Sequence, residues 1–411
     1  MRTAVGQLLR AALVAVVVLA AAPAHAAPFK LCNQELTGDE TELTCAVYFG
    51  DKKYTVDLRE LAKLPKLRKL VLDSLDTTDL SPLAKMTQLE SLEIRNMIQP
   101  LDLAPLAGLT KLRWLNIHLG SLVGKVSIAP LAKLVELRSL GLESQAVEDL
   151  APLANLTKLE VLDLRRTNVQ SIAPLAKLVN LRWLQLHGTY IADIAALAGL
   201  TKLEALGLHD TSIVSLAPLA KLRMLRRLDL SETRVEDLSP IAGLPALERL
   251  DLAGARFVTD LAPLAKLRTL QELKLQGVPA TDFSALASLT ALTYLRIEET
   301  AFADLTVLAK AASLETLGIA KTKVTKLAPI AKHAGLKTLD AGATALADAE
   351  QLAAMPALMF LEVCGVKLAA PVRAQLAKRK VRVEDKSCPL GDLHDMVGYP
   401  DTIVPTASYR P

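Results

Sequence analysis

Leucine recurs along most of the chain as L-x-x-L-x-L, with starts at Leu67, Leu89, Leu112, Leu137, Leu159, Leu181, Leu203, Leu225, Leu247, Leu270, Leu292, Leu314, Leu336 and Leu358. Most of these fourteen starts are 22 residues apart, as in LEVLDLRRTNVQSIAPLAKLVN from Leu159 and LRRLDLSETRVEDLSPIAGLPA from Leu225. The last two leucines of the pattern are two residues apart, so they share one face of a short strand while the residues between them face the other way. One such unit cannot bury its apolar face alone, and stacking neighbours into a parallel ladder closes a continuous interior. In the repeat from Leu159, Val169, Ile172, Leu175 and Leu178 complete the fill. The recurring proline of APLA and SPLA has a fixed φ and no amide hydrogen, which predicts tight 3₁₀-like turns on the outer side rather than long helices.

Seven repeats carry threonine at the ninth position: Thr167, Thr189, Thr211, Thr233, Thr300, Thr322 and Thr344. An inward hydroxyl there can bond turn backbone, a structural role. The whole pattern, L-x-x-L-x-L-x-x-T-x-V-x-D-L-x-P-L-A-x-L-x-x, resembles the 22-residue repeats of bacterial internalins and of the leucine-rich regulatory subunit of protein phosphatase 1, from about Val56 to Val372. The resemblance implies an α/β solenoid of leucine-rich repeats, with a parallel β ladder on its concave face and short 3₁₀ or irregular turns on its convex face. It also implies protein recognition, with the partner set by variable residues. No cell-wall sorting signal follows the repeats, unlike surface-anchored internalins.

A solenoid exposes apolar interior at both ends unless the ends are covered. Residues 27–66 read as an N-terminal cap, with strand-like runs around a Gly50-Asp51 turn and then LRELAKLPKL, half a repeat. After the repeats, residues 67–372, comes a C-terminal cap over 373–388 with its last strand in VRVED. The helix expected there, APVRAQLAKRK, starts at Ala370. The tail, 389–411, has proline and glycine and no period, and is expected to be extended or disordered. Four cysteines lie in two local pairs, Cys32 with Cys45 and Cys364 with Cys388. Pairing within each end avoids joining opposite ends of a long body, and each bridge would stabilise its cap by about 2 to 4 kcal/mol. Residues 1–26 have a basic start, a short apolar run and an A-x-A ending, which reads as a cleaved secretory signal. The run is shorter than the ~20 residues that span a bilayer, so no membrane span is expected after cleavage. An exported protein, periplasmic or secreted, is expected, and oxidising surroundings agree with the cysteine pairs.

Counting from the first leucine of each repeat, positions 2, 3, 5, 7 and 8 are expected to face outward on the concave surface. Both tryptophans, Trp114 and Trp183, take position 3; His118, His187 and His209 take position 7. Exposed tryptophan marks contact sites, so these residues are the expected anchors. Asp163, Arg165, Gln185, Asp229 and Asp251 form a mixed polar rim, and Tyr294 at position 3 extends the surface. His187 and His209 stand in adjacent repeats, ~4.8 Å apart along the ladder. No third ligand is evident beyond Asp210, so no metal is expected, and the histidines are expected to make binding sensitive between about pH 5 and 8. The repeat from Leu112 is 25 residues long, and its extra length, in HLGSLVGKVSIAPL, borders Trp114 and His118.

Across the five outward positions the fourteen repeats carry fifteen Lys or Arg and eighteen Asp or Glu, interleaved in sign. A phosphate-binding face needs a basic stripe, which argues against nucleic acid and anionic membrane. No nucleophile elbow, zinc-protease helix motif, P-loop or strand-linked glycine-rich fingerprint is present, so neither an enzyme nor a cofactor is expected. The expected function is recognition of a protein or peptide on the concave face; the alternative is an envelope scaffold or spacer without a discrete ligand.

Overall fold

The computed structural model describes residues 28–46, 56–75, 77–97, 101–119, 125–143 and 147–385. The expected signal segment, the Gly50-Asp51 turn, most of the extra length after His118, Cys388 and the tail lie outside the described residues. A parallel sheet of 16 strands runs in sequence order from Glu42–Ala46 to Arg382–Glu384. Fourteen of its strands, from Lys69–Asp73 to Phe360–Glu362, each begin at position 3 of a repeat. The solenoid expected from the leucine period is therefore present, with strands on one face and 3₁₀ turns on the other.

The reason is visible in any single coil. Leu184 of the strand Trp183–Gln185 and Leu181 and Leu186 on either side of it are fully buried, as are Ile191, Leu197 and Leu200 of the outer arc. Outer turns such as Ala173–Lys177 carry proline at their start, where a missing amide hydrogen costs nothing. The aspartate that precedes the outer turn adds a second reason for it: Asp193 and Asp237 each accept from the amide two residues on, at 2.8 Å. All seven ninth-position threonines are buried, and each hydroxyl donates to the carbonyl three residues earlier at 2.6 to 2.7 Å.

Position 8, expected to face outward, is exposed at Arg166, Asp210 and Glu232 and has a distinctive backbone. It is left-handed in most of the described repeats, with φ of 57° at Arg166, 51° at Asp210, 54° at Glu232 and 52° at Ala343; Leu119, in the repeat of extra length, is an exception. Few non-glycine residues take this conformation without local support. In the 22-residue repeats the turn imposes it on polar, charged and alanine residues alike, and Gly188, Gly254, Gly277 and Gly365 adopt it without a Cβ.

At the N-terminal end, Glu42–Ala46 extends the ladder beside Lys69–Asp73, and Cys45 is joined to Cys32. Leu58, Leu61 and Leu64 cover the first coil. At the other end the helix Ala370–Lys378 buries Val372 and Leu376 against the last coil. Arg379 pins it there by donating to the carbonyls of Ala353, Met355 and Pro356. Cys364 is disulfide-bonded.

Candidate functional site

Three adjacent strands, Trp183–Gln185, Ala205–Gly207 and Arg227–Asp229, hold the densest cluster of the predicted residues. The ladder sets Trp183 beside Ala205 and then Arg227, and Gln185 beside Gly207 and then Asp229. The outward residues of the middle strand, Ala205 and Gly207, are small, so side chains from both neighbours lie over it. The Arg227 guanidinium stands 5.2 Å from the Trp183 ring centre, a cation–π contact. The indole is consequently half-buried in the ladder rather than standing free.

His187 lies across Gly207. A Cβ at Gly207 would come within 1.9 Å of both His187 Nε2 and Gln185 Oε1. The ring's Nε2 contacts Gln185 Oε1 at 2.5 Å, and its Nδ1 faces Asp229 Oδ2 at 3.6 Å. His209 stands 5.8 Å from it, centre to centre. The Ser231 hydroxyl donates to Asp229 Oδ1 at 2.6 Å, so it accepts from His209 Nδ1 at 2.9 Å. A polar chain thus links His209, Ser231, Asp229 and His187.

Two features correct the sequence reading. Burial first, then the nearby His209 and Arg165, push His187 down from 6.5 to about 4, with Asp163 and Asp251 opposing. This ring therefore titrates below the range between pH 5 and 8 in which it was expected to change charge. Gln185 and Tyr294, expected on an open rim, are only 3% and 5% exposed. The small middle strands let long side chains lie down, which covers them.

The other predicted residues sit on the same face in separate groups. Arg165 binds both Asp163, at 2.7 Å, and Glu143, at 2.9 Å, while His118 Nδ1 lies 3.7 Å from Glu143. Trp114 is half-buried nearby. Asp251 pairs with Lys274 at 3.0 Å. Burial raises the Asp251 carboxyl above its ordinary value against the pull of Lys274. Among the described residues no three metal-ligating side chains converge on one point.

An arrangement missed in the sequence recurs three times. An aromatic residue at position 3 of one repeat is followed by glycine at position 5 of the next, then by aspartate at position 5 of the one after. The sets are Trp114, Gly141 and Asp163; Trp183, Gly207 and Asp229; Tyr294, Gly318 and Asp340. At each glycine a side chain of the preceding repeat occupies the space a Cβ would need: Asn116, then Gln185 with His187, then Glu298. The signal was present as W-L-N, S-L-G, V-L-D and its two counterparts, but reading it requires aligning three strands at once. In the central set Trp183 Nε1 and Gln185 Nε2 are buried without an acceptor. The two amide atoms of Gln185 can be exchanged, whereas the indole N–H of Trp183 is a donor in any assignment.

Comparison with known proteins places these observations in context. The family model for a leucine-rich repeat region matches residues 136–381. No curated protein matches the sequence. Among solved structures, an internalin of Listeria monocytogenes is similar at 24% identity and a TM-score of 0.63, over 82% of this chain and 91% of that one. A leucine-rich repeat protein of Leptospira interrogans has 18% identity and a TM-score of 0.65, over 79% of this chain and 91% of its own. The plant peptide hormone receptor RGFR1, in complex with RGF2, has 14% identity and a TM-score of 0.59, over 85% of this chain and 69% of the receptor. At such identities the likeness establishes the fold.

Proposed function

The chain belongs to the leucine-rich repeat family, whose members are protein-binding modules, and from that premise we propose that it is an exported, non-catalytic module that recognises a protein or peptide on its concave face. The observation that carries the reading is the cluster over Ala205 and Gly207. There an aromatic ring, two histidines and an aspartate meet beside buried donors, Trp183 Nε1 and Gln185 Nε2, that lack acceptors. Buried polar groups are normally satisfied, and exceptions mark sites kept for something other than stability. Trp114, His118, Asp163 and Arg165 extend the proposed surface toward the N-terminal end; Asp251 and Tyr294 extend it the other way. Export is supported by the signal-like segment and by the Cys32–Cys45 disulfide.

Affinity capture from envelope and culture extracts tests this, using the chain from Ala27 onward beside two variants. One is Trp114→Ala with Trp183→Ala. The other is Phe257→Ser, a half-exposed residue away from the concave strands. A protein held by the wild type and by Phe257→Ser but lost from the tryptophan variant supports concave recognition. Recovery of one set by all three baits removes it and leaves the scaffold reading.

A further inference from the structure

The last third of the concave face differs from the rest in how its carboxylates are matched. Earlier along the face several have a cation at hand: Asp73 has Arg95 at 2.9 Å, Asp163 has Arg165 at 2.7 Å, and Asp251 has Lys274 at 3.0 Å, whereas Asp229 faces the neutral His187. Toward the C-terminal end Asp340, Glu362 and Glu384 occupy the same position of three consecutive strands, ~4.8 Å apart. Arg382 pairs with Glu384, Arg296 with Glu298 and Lys321 with Glu299. Asp340 and Glu362 have no ion pair among the described residues. Asp340 is 7% exposed and accepts only from the Gly342 amide, at 3.0 Å.

A second observation, from outside that column, points the same way. Glu298 reaches over Gly318 toward Asp340 and is 5% exposed; its Oε2 is buried with no donor. In the same position one repeat earlier, Gln276 Oε1 is also buried without a donor. Burial, helped by the charge of Asp340 on both of the others, raises the pKa of Glu298, Asp340 and Glu362 against the pull of Arg296 on all three and of Lys321 on Asp340. At Glu298 the unsatisfied atom is an acceptor, and an exchange of amide atoms makes Gln276 either an acceptor or a donor there. The carboxylates are strung along the ladder rather than drawn to a point, and no three of them could share a metal ion. An elongated organic cation fits instead: a guanidinium offers five N–H donors in one plane, and an ammonium three.

We propose that this end of the concave face receives an arginine or lysine side chain of the protein partner, held by Asp340 and Glu362 with Glu298 behind them. The inference rests on the concave-face reading above, to which it adds the charge of the partner's contact residue and its place along the solenoid. An acidic segment is repelled from the same strands.

Selection of peptides from a random phage-displayed library on the full chain tests it. The expected result is enrichment of arginine or lysine at one position of the selected peptides. Binding of the best peptide, measured as a synthetic probe, should fall about tenfold or more on Asp340→Asn with Glu362→Gln, the loss for a charge-assisted contact. Replacing the peptide's basic residue by glutamine should cause the same fall, and combining the two changes should add little. Both substitutions are close in shape and remove mutual repulsion, so the variant should melt no lower than the wild type. Basic peptides that bind wild type and variant equally overturn the placement. Peptides without basic enrichment that are lost from Trp114→Ala with Trp183→Ala overturn this inference and leave concave recognition standing. Recovery of no peptide counts against both.

Discussion

His187 and Asp229 belong to repeats two apart, yet the imidazole Nδ1 lies 3.6 Å from the Asp229 carboxylate because Gly207, between them, has no side chain. The contact crosses a whole strand of the ladder. It depends on that glycine, and Gly207→Ala provides a direct test. The new methyl would meet the far ends of two side chains rather than backbone, so the ring must lift from the ladder. The expected cost is about 1 to 3 kcal/mol. His187 should then titrate closer to 6.5 than to about 4, as read by its ring proton signals. An unchanged titration would show that the glycine does not set the ring's burial.

The same ring makes stability depend on pH. In the unfolded chain His187 takes up a proton as the pH falls through 6.5, but in the folded chain it does so only near 4. Between those values the unfolded state holds more protons, so folding weakens as the pH falls through that window. At ~1.36 kcal/mol per pH unit, the full shift from 6.5 to about 4 corresponds to a loss of about 3 kcal/mol. Urea unfolding near neutrality and at about pH 4.5 should show a smaller loss for His187→Gln than for the wild type. Equal losses would remove His187 from the acid response.

Each ninth-position threonine ties its own turn. The Thr233 hydroxyl donates to Leu230 O at 2.6 Å and is 3% exposed. Thr233→Val keeps the shape and removes the donor, and should cost about 1 to 2 kcal/mol in urea unfolding. Because neighbouring coils stabilise one another, hydrogen exchange should quicken most in the strands Ala205–Gly207, Arg227–Asp229 and Arg249–Asp251. Uniform quickening along the chain would contradict the local role.

The Cys32–Cys45 bridge spans 13 residues and holds the strand that covers the first coil. Replacing both cysteines by serine should cost about 3 kcal/mol at that end by loop entropy. Hydrogen exchange should rise in Glu42–Ala46 and Lys69–Asp73 and stay unchanged in Phe360–Glu362. Protection lost equally at both ends would mean that the solenoid unfolds as one unit.

The sequence by itself determined the solenoid. A leucine period of 22 residues leaves one way to bury every apolar face, and proline and threonine at set places in it specify the turns. It also placed Trp183, His187, His209 and Asp229 on one face, since strand alternation alone decides that. Only the tertiary structure decided what these residues do to one another. Whether a side chain on a ladder stands up or lies down depends on the size of its neighbours in the next strand and the strand beyond, which are 22 and 44 residues away in the chain. Ala205 and Gly207 let Trp183, Gln185 and His187 lie flat, so burial lowered a histidine pKa expected to stay near neutrality. The unmatched carboxylates of Asp340 and Glu362 were hidden for the same reason: interleaved charge in the sequence reads as balanced until the ladder shows which charges meet.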